Sequence, residues 1–376
     1  MARPRTSRSR SRSERRSMAQ QRRLTLQQGS GTGRTGGWSH PLAFGSALLI
    51  FVMIVAGATV TTIGAGDSDP AWSWRFWEWF RSASGGQFYE LLHRQIGTVI
   101  GFVAIGMVVS LFRNEERRWV RRLGVVALLM TIVQGLLGGL RVQAVSSPAW
   151  RDFLCNLLGI GHEGVRMTLA MVHAFNAQLV FCTLVALAVV TSRGWRGGEQ
   201  PSETSEHTRK TRRLAMWACA LIFVQLVLGA YVRHGRVLYP GETAPYYNLV
   251  LLLHVCMALG VVGHIFLVNS HTRASHPKIF PVWHLAGLAQ FLGMFQLALG
   301  AGAWAVTQSG VTPVPWDVAM LVRVLHVGNG AAIFAIFVTL GARSFKLLRL
   351  GAPEQAGLPQ GGRRTHEVAS KHRNRP

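Results

Sequence analysis

The chain alternates between long apolar runs and short polar connections, most of which are basic. Each run is close to the roughly 20 residues that a helix needs to cross a 30 Å hydrocarbon core. The runs cover residues 42–63, 91–111, 123–142, 168–191, 214–232, 249–268, 284–306 and 318–341. Helices this apolar are usually shorter when they form the core of a soluble protein. The pattern therefore predicts an all-α integral membrane protein with eight transmembrane helices.

A motif on the odd-numbered runs divides the eight predicted helices into two halves. The motif occupies Gln134 to Gly139, Gln225 to Ala230 and Gln296 to Ala301, with a degenerate copy at Met53 to Ala58. Each half contains an even number of spans, so both have the same orientation in the membrane. We predict two tandem four-helix bundles related by a pseudo-two-fold axis along the membrane normal. The predicted boundaries are a basic tail 1–41, halves 42–191 and 214–341, a linker 192–213 and a tail 342–376.

The basic residues are concentrated on one side of the predicted membrane helices. The formal net charge is +24, from 40 Lys and Arg against 16 Asp and Glu. Most of these cations lie in the two tails and in the connections that follow even-numbered helices, which is typical of cytoplasmic segments. The distribution predicts that both termini are cytoplasmic and that the disordered N-terminal tail lies against anionic lipid. It argues against a nucleic-acid partner.

Four cysteines are scattered along the chain, and only one lies in a predicted outer loop. They are Cys155, Cys182, Cys219 and Cys256. This distribution predicts neither a disulfide framework nor a CxxC metal site.

Each even-numbered run carries one histidine near its outer end. These residues are His93, His173, His254 and His326. An ionisable side chain at membrane depth costs roughly 2.5 kcal/mol or more unless something binds it. The four histidines are expected within the first two turns of their helices, about 3–12 Å below the outer interface. A shared depth favours a common ligand.

A small residue follows each of these histidines by four positions. The four residues are Gly97, Ala177, Ala258 and Gly330. Positions i and i+4 share a helix face, so each imidazole is expected beside a shallow notch that suits a flat macrocycle. Small residues are also the ordinary means of close helix packing in lipid.

Three interpretations of the histidines stay open at this point. They are two bis-histidine haem sites, a metal site or proton relay, and core histidines without a ligand. One histidine on the second and fourth helix of each half favours axial ligation of iron from both faces of a porphyrin. His264, which has no counterpart on the other helices, is expected to be a hydrogen-bonded core residue.

Only the first half has a carboxylate one turn before a histidine. The four residues at this position are Glu90, Ala170, Leu251 and Arg323. A carboxylate over a haem edge can stabilise positive charge or accept a proton. The alternative for Glu90 is a partly solvated glutamate in a first helical turn, stabilised by the helix dipole.

Four arginines lie near the outer ends of the predicted helices, where the propionates of a haem would reach the interface. They are Arg94, Arg141, Arg233 and Arg323. Arginine pairs well with carboxylates, which makes these residues candidate propionate partners. Snorkelling of the guanidinium to the interface is the alternative.

These features resemble the haem A synthase family over residues 43 to 341. The resemblance rests on several motifs in order along the chain. They are Tyr89-Glu90-x-x-His93-Arg94, Gln-x-x-Leu-Gly-Gly/Ala on the odd helices, the histidine on each even helix, Val232-Arg233-His234, and Gly64-Ala65-Gly66 followed by Pro70-Ala71-Trp72. Some members of the family carry a cysteine pair in an outer loop, whereas this chain has only Cys155 there.

The resemblance implies an enzyme of the bacterial-type cytoplasmic membrane that oxidises the C8 methyl of haem O to a formyl group, giving haem A for terminal oxidases. It implies Glu90 as the catalytic carboxylate, His93 and His173 as ligands of the substrate haem, and His254 and His326 as ligands of a resident haem b. The implied partners are haem O, the farnesyltransferase that forms it, the terminal oxidase assembly and membrane lipid.

Two other functions stay open. One is a diheme b-type electron-transfer cytochrome that alters neither haem, and the other is a haem carrier or assembly factor. Only the enzyme requires Glu90.

Overall fold

The computed structural model describes residues 37–66, 83–197, 203–205, 207–239, 243–307 and 314–350. Within these residues, eight helices are long and apolar enough to cross a membrane. They are α1 (Ser39–Thr62), α2 (Gly86–Asn114), α3 (Arg118–Ser146), α4 (His162–Thr191), α5 (Thr208–Val237), α6 (Tyr247–Ser275), α7 (Phe280–Ala305) and α8 (Trp316–Leu347). The predicted all-α membrane fold with eight spans is confirmed.

Every helix begins before the apolar run that predicted it. For example, α2 begins five residues early and α4 six residues early. The first turns contain polar residues, so hydropathy identifies only the middle of each helix. The expectation that the histidines lie within about the first two turns therefore holds for His93 and His254 but is wrong for His173 and His326. The four histidines lie at different positions along their helices. They are the eighth residue of α2 and of α6, the twelfth of α4 and the eleventh of α8, which is roughly 10–17 Å from each helix start.

The spans pack as two groups of four that share one side. α1 and α3 each contact α2 and α4, while α5 and α7 each contact α6 and α8. α8 also packs against α1 and α4, and α4 packs against α5. One apolar core is formed mainly by α1–α4 and a second by α5–α8. The predicted two-fold relation and the domain boundaries stay predictions.

The outer surface of the helices is apolar. Phe102 on α2 and Phe291 on α7 are 70% and 69% exposed. Such apolar side chains suit contact with lipid. A spanning helix satisfies its own backbone hydrogen bonds, so its lipid-facing surface needs no polar neighbour.

Shorter elements lie between the spans. The helix Pro148–Leu158 connects α3 to α4, and its exposed side chains include Trp150, Phe153 and Leu157. The one-turn helix Arg193–Arg196 follows α4. β1 (Glu203–Ser205) pairs in parallel with β2 (Leu348–Leu350), which directly follows α8. Apolar runs of spanning length do not predict these elements, since each element is shorter than a membrane span.

Some sequence predictions fall outside the described residues. These are the N-terminal tail before residue 37, the Pro70-Ala71-Trp72 stretch and the C-terminal tail after residue 350. All four cysteines are described and are free thiols.

Candidate functional site

A cavity of about 1720 Å³ runs between the helices and is lined by residues of both halves. It is larger than the roughly 300–1,000 Å³ that ordinarily accommodates one small molecule. The four predicted histidines line it, and so do the residues one turn before them, Glu90, Ala170, Leu251 and Arg323. The structure thus brings the candidate residues of both halves around one continuous space.

A glycine from the preceding odd helix lies against each of the four imidazoles. A Cβ atom added at Gly57, Gly138, Gly229 or Gly300 would lie 3.0, 3.3, 2.9 or 3.1 Å from Cε1 of His93, His173, His254 or His326, respectively. Real Cβ atoms essentially never come closer than 3.0 Å to another side chain. The glycine of the repeated motif therefore leaves the space in which each imidazole ring packs.

The small residue after the histidine has a different neighbour from the one predicted. A Cβ atom on Gly97 would lie 3.1 Å from Cε of Met53, and one on Gly330 would lie 3.4 Å from Nε2 of Gln296. At these two positions the notch holds a side chain of the odd helix. Gly97, Ala177, Ala258 and Gly330 nevertheless all line the cavity, so the interpretation of these positions as space for a macrocycle stays a prediction.

Glutamine side chains contact three of the four histidines. Nε2 of Gln134 lies 3.1 Å from Nε2 of His173 and 3.2 Å from its Nδ1. Nε2 of Gln225 lies 3.0 Å from Nδ1 of His254. Nε2 of Gln296 lies 3.2 Å from Nδ1 of His326. The glutamine of the motif therefore orients the same imidazole ring that packs against the glycine.

Two of these glutamines accept a hydrogen bond from an asparagine. Asn176 donates to Oε1 of Gln134 at 2.8 Å, and Asn329 donates to Oε1 of Gln296 at 2.7 Å. Each asparagine lies one turn after a histidine, on the same helix. Sequence reasoning missed these five amides as site residues. The Gln-x-x-x-Gly spacing was the available signal, but it does not reveal which helix the motif faces.

His93 is the exception to this arrangement. Met53 takes the glutamine position on α1, and Ile96 lies one turn after His93. Nδ1 of His93 is buried and has no hydrogen-bond partner among the described residues. The two histidines of the first half therefore differ, since His173 is held by a chain of two amides and His93 by none.

Glu90 is buried beside His93. Its residue exposure is 4%, and its Oε1 lies 2.6 Å from Nη2 of Arg94, one turn further along α2. Glu90 lies past the first turn of a helix that begins at Gly86. The alternative of a partly solvated first-turn glutamate is therefore wrong. A buried carboxylate is costly unless it is paired, and Arg94 supplies the compensating charge.

The other three predicted arginines also line the cavity. Arg233 donates from Nη2 to Oγ1 of Thr62 at 2.7 Å and to the carbonyl oxygen of Ala58. Arg323 donates to the carbonyl oxygen of Val306 at 2.8 Å. Arg141 lies against Gly66, where an added Cβ would be 2.7 Å from its Nη2. Their pairing with propionates stays a prediction.

Two further histidines have distinct environments. Nε2 of His264 lies 2.9 Å from the carbonyl oxygen of Leu214, which is the predicted hydrogen bond, but the residue is only half-buried and its predicted core position is not confirmed. His234 lines the cavity and is 4% exposed, and its Nδ1 has no hydrogen-bond partner in the described part of the chain. Sequence reasoning did not assign a role to His234, because it has no counterpart on the other odd helices.

The histidine pair of the second half has the spacing that axial ligation needs. The ring centroids of His254 and His326 are 6.4 Å apart, with an interplanar angle of 73°. Two metal–imidazole bonds of about 2 Å each, together with the half-width of each ring, span roughly 6 Å. The centroid spacing is compatible with one iron between these rings. Across the described ranges, no group of three or more His, Cys, Asp or Glu could hold a metal ion.

Comparison with known proteins gives a family match. A family model, COX15-CtaA, described as cytochrome oxidase assembly protein, matches residues 81–276. The matched segment is just over half of the chain and contains Glu90, His93, His173 and His254. No curated protein matches the chain.

Proposed function

The chain belongs to the COX15-CtaA family of cytochrome oxidase assembly proteins, and on this basis we propose that it is a haem A synthase. The first half takes haem O as its substrate and converts the C8 methyl group to a formyl group. The second half holds a resident haem b.

The observation that carries this proposal is the difference between the halves at one position. Glu90 is buried on the cavity wall one turn before His93, whereas the equivalent residues are Ala170, Leu251 and Arg323. Conversion of a methyl to a formyl group with one oxygen atom from water, R–CH3 + H2O → R–CHO + 4 H+ + 4 e−, releases four protons and four electrons. It therefore needs a proton acceptor beside that carbon and an electron acceptor outside the protein. A carboxylate in a cavity can act as this base. Oxidation is therefore assigned to the first half.

Arg94 and the apolar cavity walls set the position and the electrostatic environment of the Glu90 carboxylate. The ion pair at 2.6 Å fixes the side chain of Glu90 on the cavity side of α2. A preorganised charge in a water-poor site stabilises developing positive charge more strongly than the same charge does in water. The pair thus orients the base without filling the cavity.

The second half has the features of a permanent cofactor site. The 6.4 Å spacing of His254 and His326 fits one iron, and Gln225, Gln296 and Asn329 restrain the two rings. When bound, haem b supplies a one-electron redox centre. Because both histidine pairs line one cavity, electrons from the oxidised substrate would have a short route to this centre and from it to an acceptor outside the protein.

The proposal extends to the surroundings of the enzyme. We place it in a bacterial-type cytoplasmic membrane with both termini in the cytoplasm, as the basic connections indicate. The farnesyltransferase that makes haem O and the assembling terminal oxidase are the proposed partners.

Extraction of haem from cells that make both this protein and haem O tests the proposal. We expect haem A in cells with the wild-type protein. Glu90→Gln should abolish haem A while the low-spin haem b spectrum of the purified protein is retained. Glu90→Asp, which keeps the charge, should retain part of the activity.

Glu163→Gln is the matched control, because Glu163 is a carboxylate in the first turn of another even helix, α4, and does not line the cavity. It should leave haem A production unchanged. Haem A production that survives Glu90→Gln would contradict the catalytic assignment. Two bound haems without any haem A from the wild type would favour the electron-transfer cytochrome, and readily lost haem in both halves would favour the carrier.

A further inference from the structure

His234 belongs to the second half of the chain but lies beside the candidate site of the first. It is three residues from the outer end of α5. Leu238, which directly follows α5, packs in one buried apolar cluster with Met167 and Ala170 of α4. Ala170 lies one turn before His173 on that helix. The end of α5 is therefore held against the part of α4 that carries a predicted ligand of the substrate haem.

The imidazole of His234 is buried with an unused hydrogen-bonding atom. The residue is 4% exposed and lines the cavity. Its Nδ1 is buried and has no hydrogen-bond partner in the part of the chain that the structure describes. Burial of a polar atom is unfavourable unless something binds it, and buried side chains of this kind almost always have a partner. An unpartnered ring nitrogen in a cavity wall therefore indicates a ligand with a polar group at this point.

The charge beside His234 indicates that this polar group is an anion. Arg233 precedes it, and the two described acceptors of the Arg233 guanidinium are neutral oxygens, the carbonyl of Ala58 and the hydroxyl of Thr62. The positive charge of Arg233 therefore acts on its surroundings. An imidazole N–H and a guanidinium side by side favour a carboxylate, which accepts hydrogen bonds and carries the opposite charge.

Arg141 connects this position to the first half. It is on α3, five residues from the outer end of that helix, and it also lines the cavity. Its charge acts on His93 and His173 as well as on His234. Arg141 thus lies near both predicted ligands of the substrate haem. An anion bound at His234 would therefore belong to the ligand of the first half.

We propose that His234 binds a propionate group of the haem in the first half, donating the N–H of Nδ1 to a carboxylate oxygen, while Arg141 and Arg233 supply positive charge. Propionates are the anionic groups of an otherwise largely apolar molecule. The second half thus contributes a binding residue to the substrate site of the first, and that site is incomplete without it. This inference rests on the proposed function, which places haem O in the first half.

Comparison of haem O with its dimethyl ester tests the proposal, because the ester has the same macrocycle without the negative charges. The full-length protein is purified from cells that make no haem O, and each compound is then added and its dissociation constant is measured from the absorption change. His234→Leu should weaken the binding of haem O by about 10–100-fold. It should change the binding of the ester little. His234→Asn, which can place an N–H near the position of Nδ1, should restore part of the affinity for haem O.

Two further variants control this measurement. His264→Leu is the matched substitution, since His264 is also on a span of the second half but does not line the cavity. It should leave both dissociation constants unchanged. His173→Ala should abolish the low-spin spectrum of the added haem, which assigns that spectrum to the first half. If His234→Leu loses its second-half haem b and so fails to fold, His234→Phe keeps a ring without an N–H and takes its place.

Equal weakening of haem O and the ester in the folded His234 variant would overturn the inference, because the histidine would then only pack against the macrocycle. Unchanged binding of both compounds would also overturn it. In either case the wild-type protein still binds haem O, so the proposed function stands. A wild-type protein that takes up no added haem O would instead overturn the proposed substrate site, and this inference with it.

Discussion

Glu115 joins three parts of the chain just after α2 ends. Its carboxylate accepts hydrogen bonds from Nε and Nη2 of Arg117 and from Nη2 of Arg196, each at 2.8 Å. Arg117 also donates to the carbonyl oxygen of Val190 at 2.8 Å. Burial acts to raise the pKa of Glu115, but the hydrogen bonds and charge of Arg117, followed by the charge of Arg196, lower it to about 2. The charged form is therefore favoured in the folded protein.

This pKa gives a pH-dependent stability. The pKa of the carboxyl group in the folded state is about 2, below its ordinary value of 4.5. The charged carboxylate therefore stabilises the folded protein fully above pH 4.5, and this stabilisation is lost as the pH falls towards about 2. Glu115→Gln should lower the thermal midpoint of the detergent-solubilised protein at pH 7. The difference from wild type should shrink between pH 4.5 and the lowest pH that the protein tolerates.

Glu116→Gln is the control for this experiment, because Glu116 is an exposed neighbour. It should leave the midpoint nearly unchanged at either pH. A constant difference between Glu115→Gln and wild type from pH 7 to pH 3 would show that the carboxyl charge does not contribute.

At the scale of helices, the motif on each odd helix forms the surface against which the histidine of the next even helix packs. Glutamine and glycine are four residues apart, so they share one helix face. The glycine removes the side chain that would collide with the imidazole, and the glutamine contacts the ring nitrogens. Gly229 on α5 shows the closest approach, at 2.9 Å between an added Cβ and Cε1 of His254.

Gly229→Ala tests this contact. The added methyl group should displace the His254 ring, and the second-half haem should be lost from the purified protein while the first-half haem is kept. Haem-to-protein ratio and the low-spin absorption spectrum measure the outcome. Gly260→Ala on α6 is the matched control, since a Cβ there meets no atom within 4 Å, and it should retain both haems.

If Gly229→Ala keeps its full haem content with an unchanged spectrum, the glycine does not position His254. Loss of haem from both halves would instead indicate a general folding defect, and the less severe contact at Gly138, 3.3 Å from His173, would then be the position to compare.

At the scale of the whole molecule, Arg233 ties the two halves together. It extends from α5 of the second half to the carbonyl oxygen of Ala58 and the hydroxyl of Thr62, both on α1 of the first. A hydrogen bond from a charged donor contributes roughly 1.5–3 kcal/mol, and its buried partner pays a desolvation cost if the donor is removed. This contact therefore adds to the packing of α8 against α1 and α4.

A double-mutant cycle measures the link. Arg233→Met and Thr62→Val should each lower the free energy of unfolding, and the pair should be coupled by about 0.5–3 kcal/mol. Thermal or denaturant unfolding of the four proteins in one detergent gives the values. Strictly additive effects would mean that the hydrogen bond does not join the halves.

The sequence identifies the eight helices, the four histidines and Glu90, because apolar length and the cost of an ionisable group in lipid are properties of single segments. It does not identify the amides as partners of the histidines, since this requires the rotation of one helix against another. The true surroundings of Gly97 and Gly330 depend on the same rotation. The Gln-x-x-x-Gly repeat was visible, but its meaning depended on knowing which face of the helix it would turn to the histidine.

The four-residue interval between glutamine and glycine also limits how the two halves can diverge. One residue inserted between the glutamine and the glycine would rotate the glutamine relative to the glycine by about 100° around the helix axis. Insertions are therefore compatible with this arrangement only in the connections between helices. From the methionine or glutamine position to the histidine it faces, the chain advances by 40 and 39 positions in the first half and by 29 and 30 positions in the second. From each half's first histidine to its next glutamine the counts are nearly equal, at 41 and 42. The first half is therefore longer only at the end where the even helices begin, above the histidines, and a chimera that exchanges those connections would leave both helix scaffolds in register.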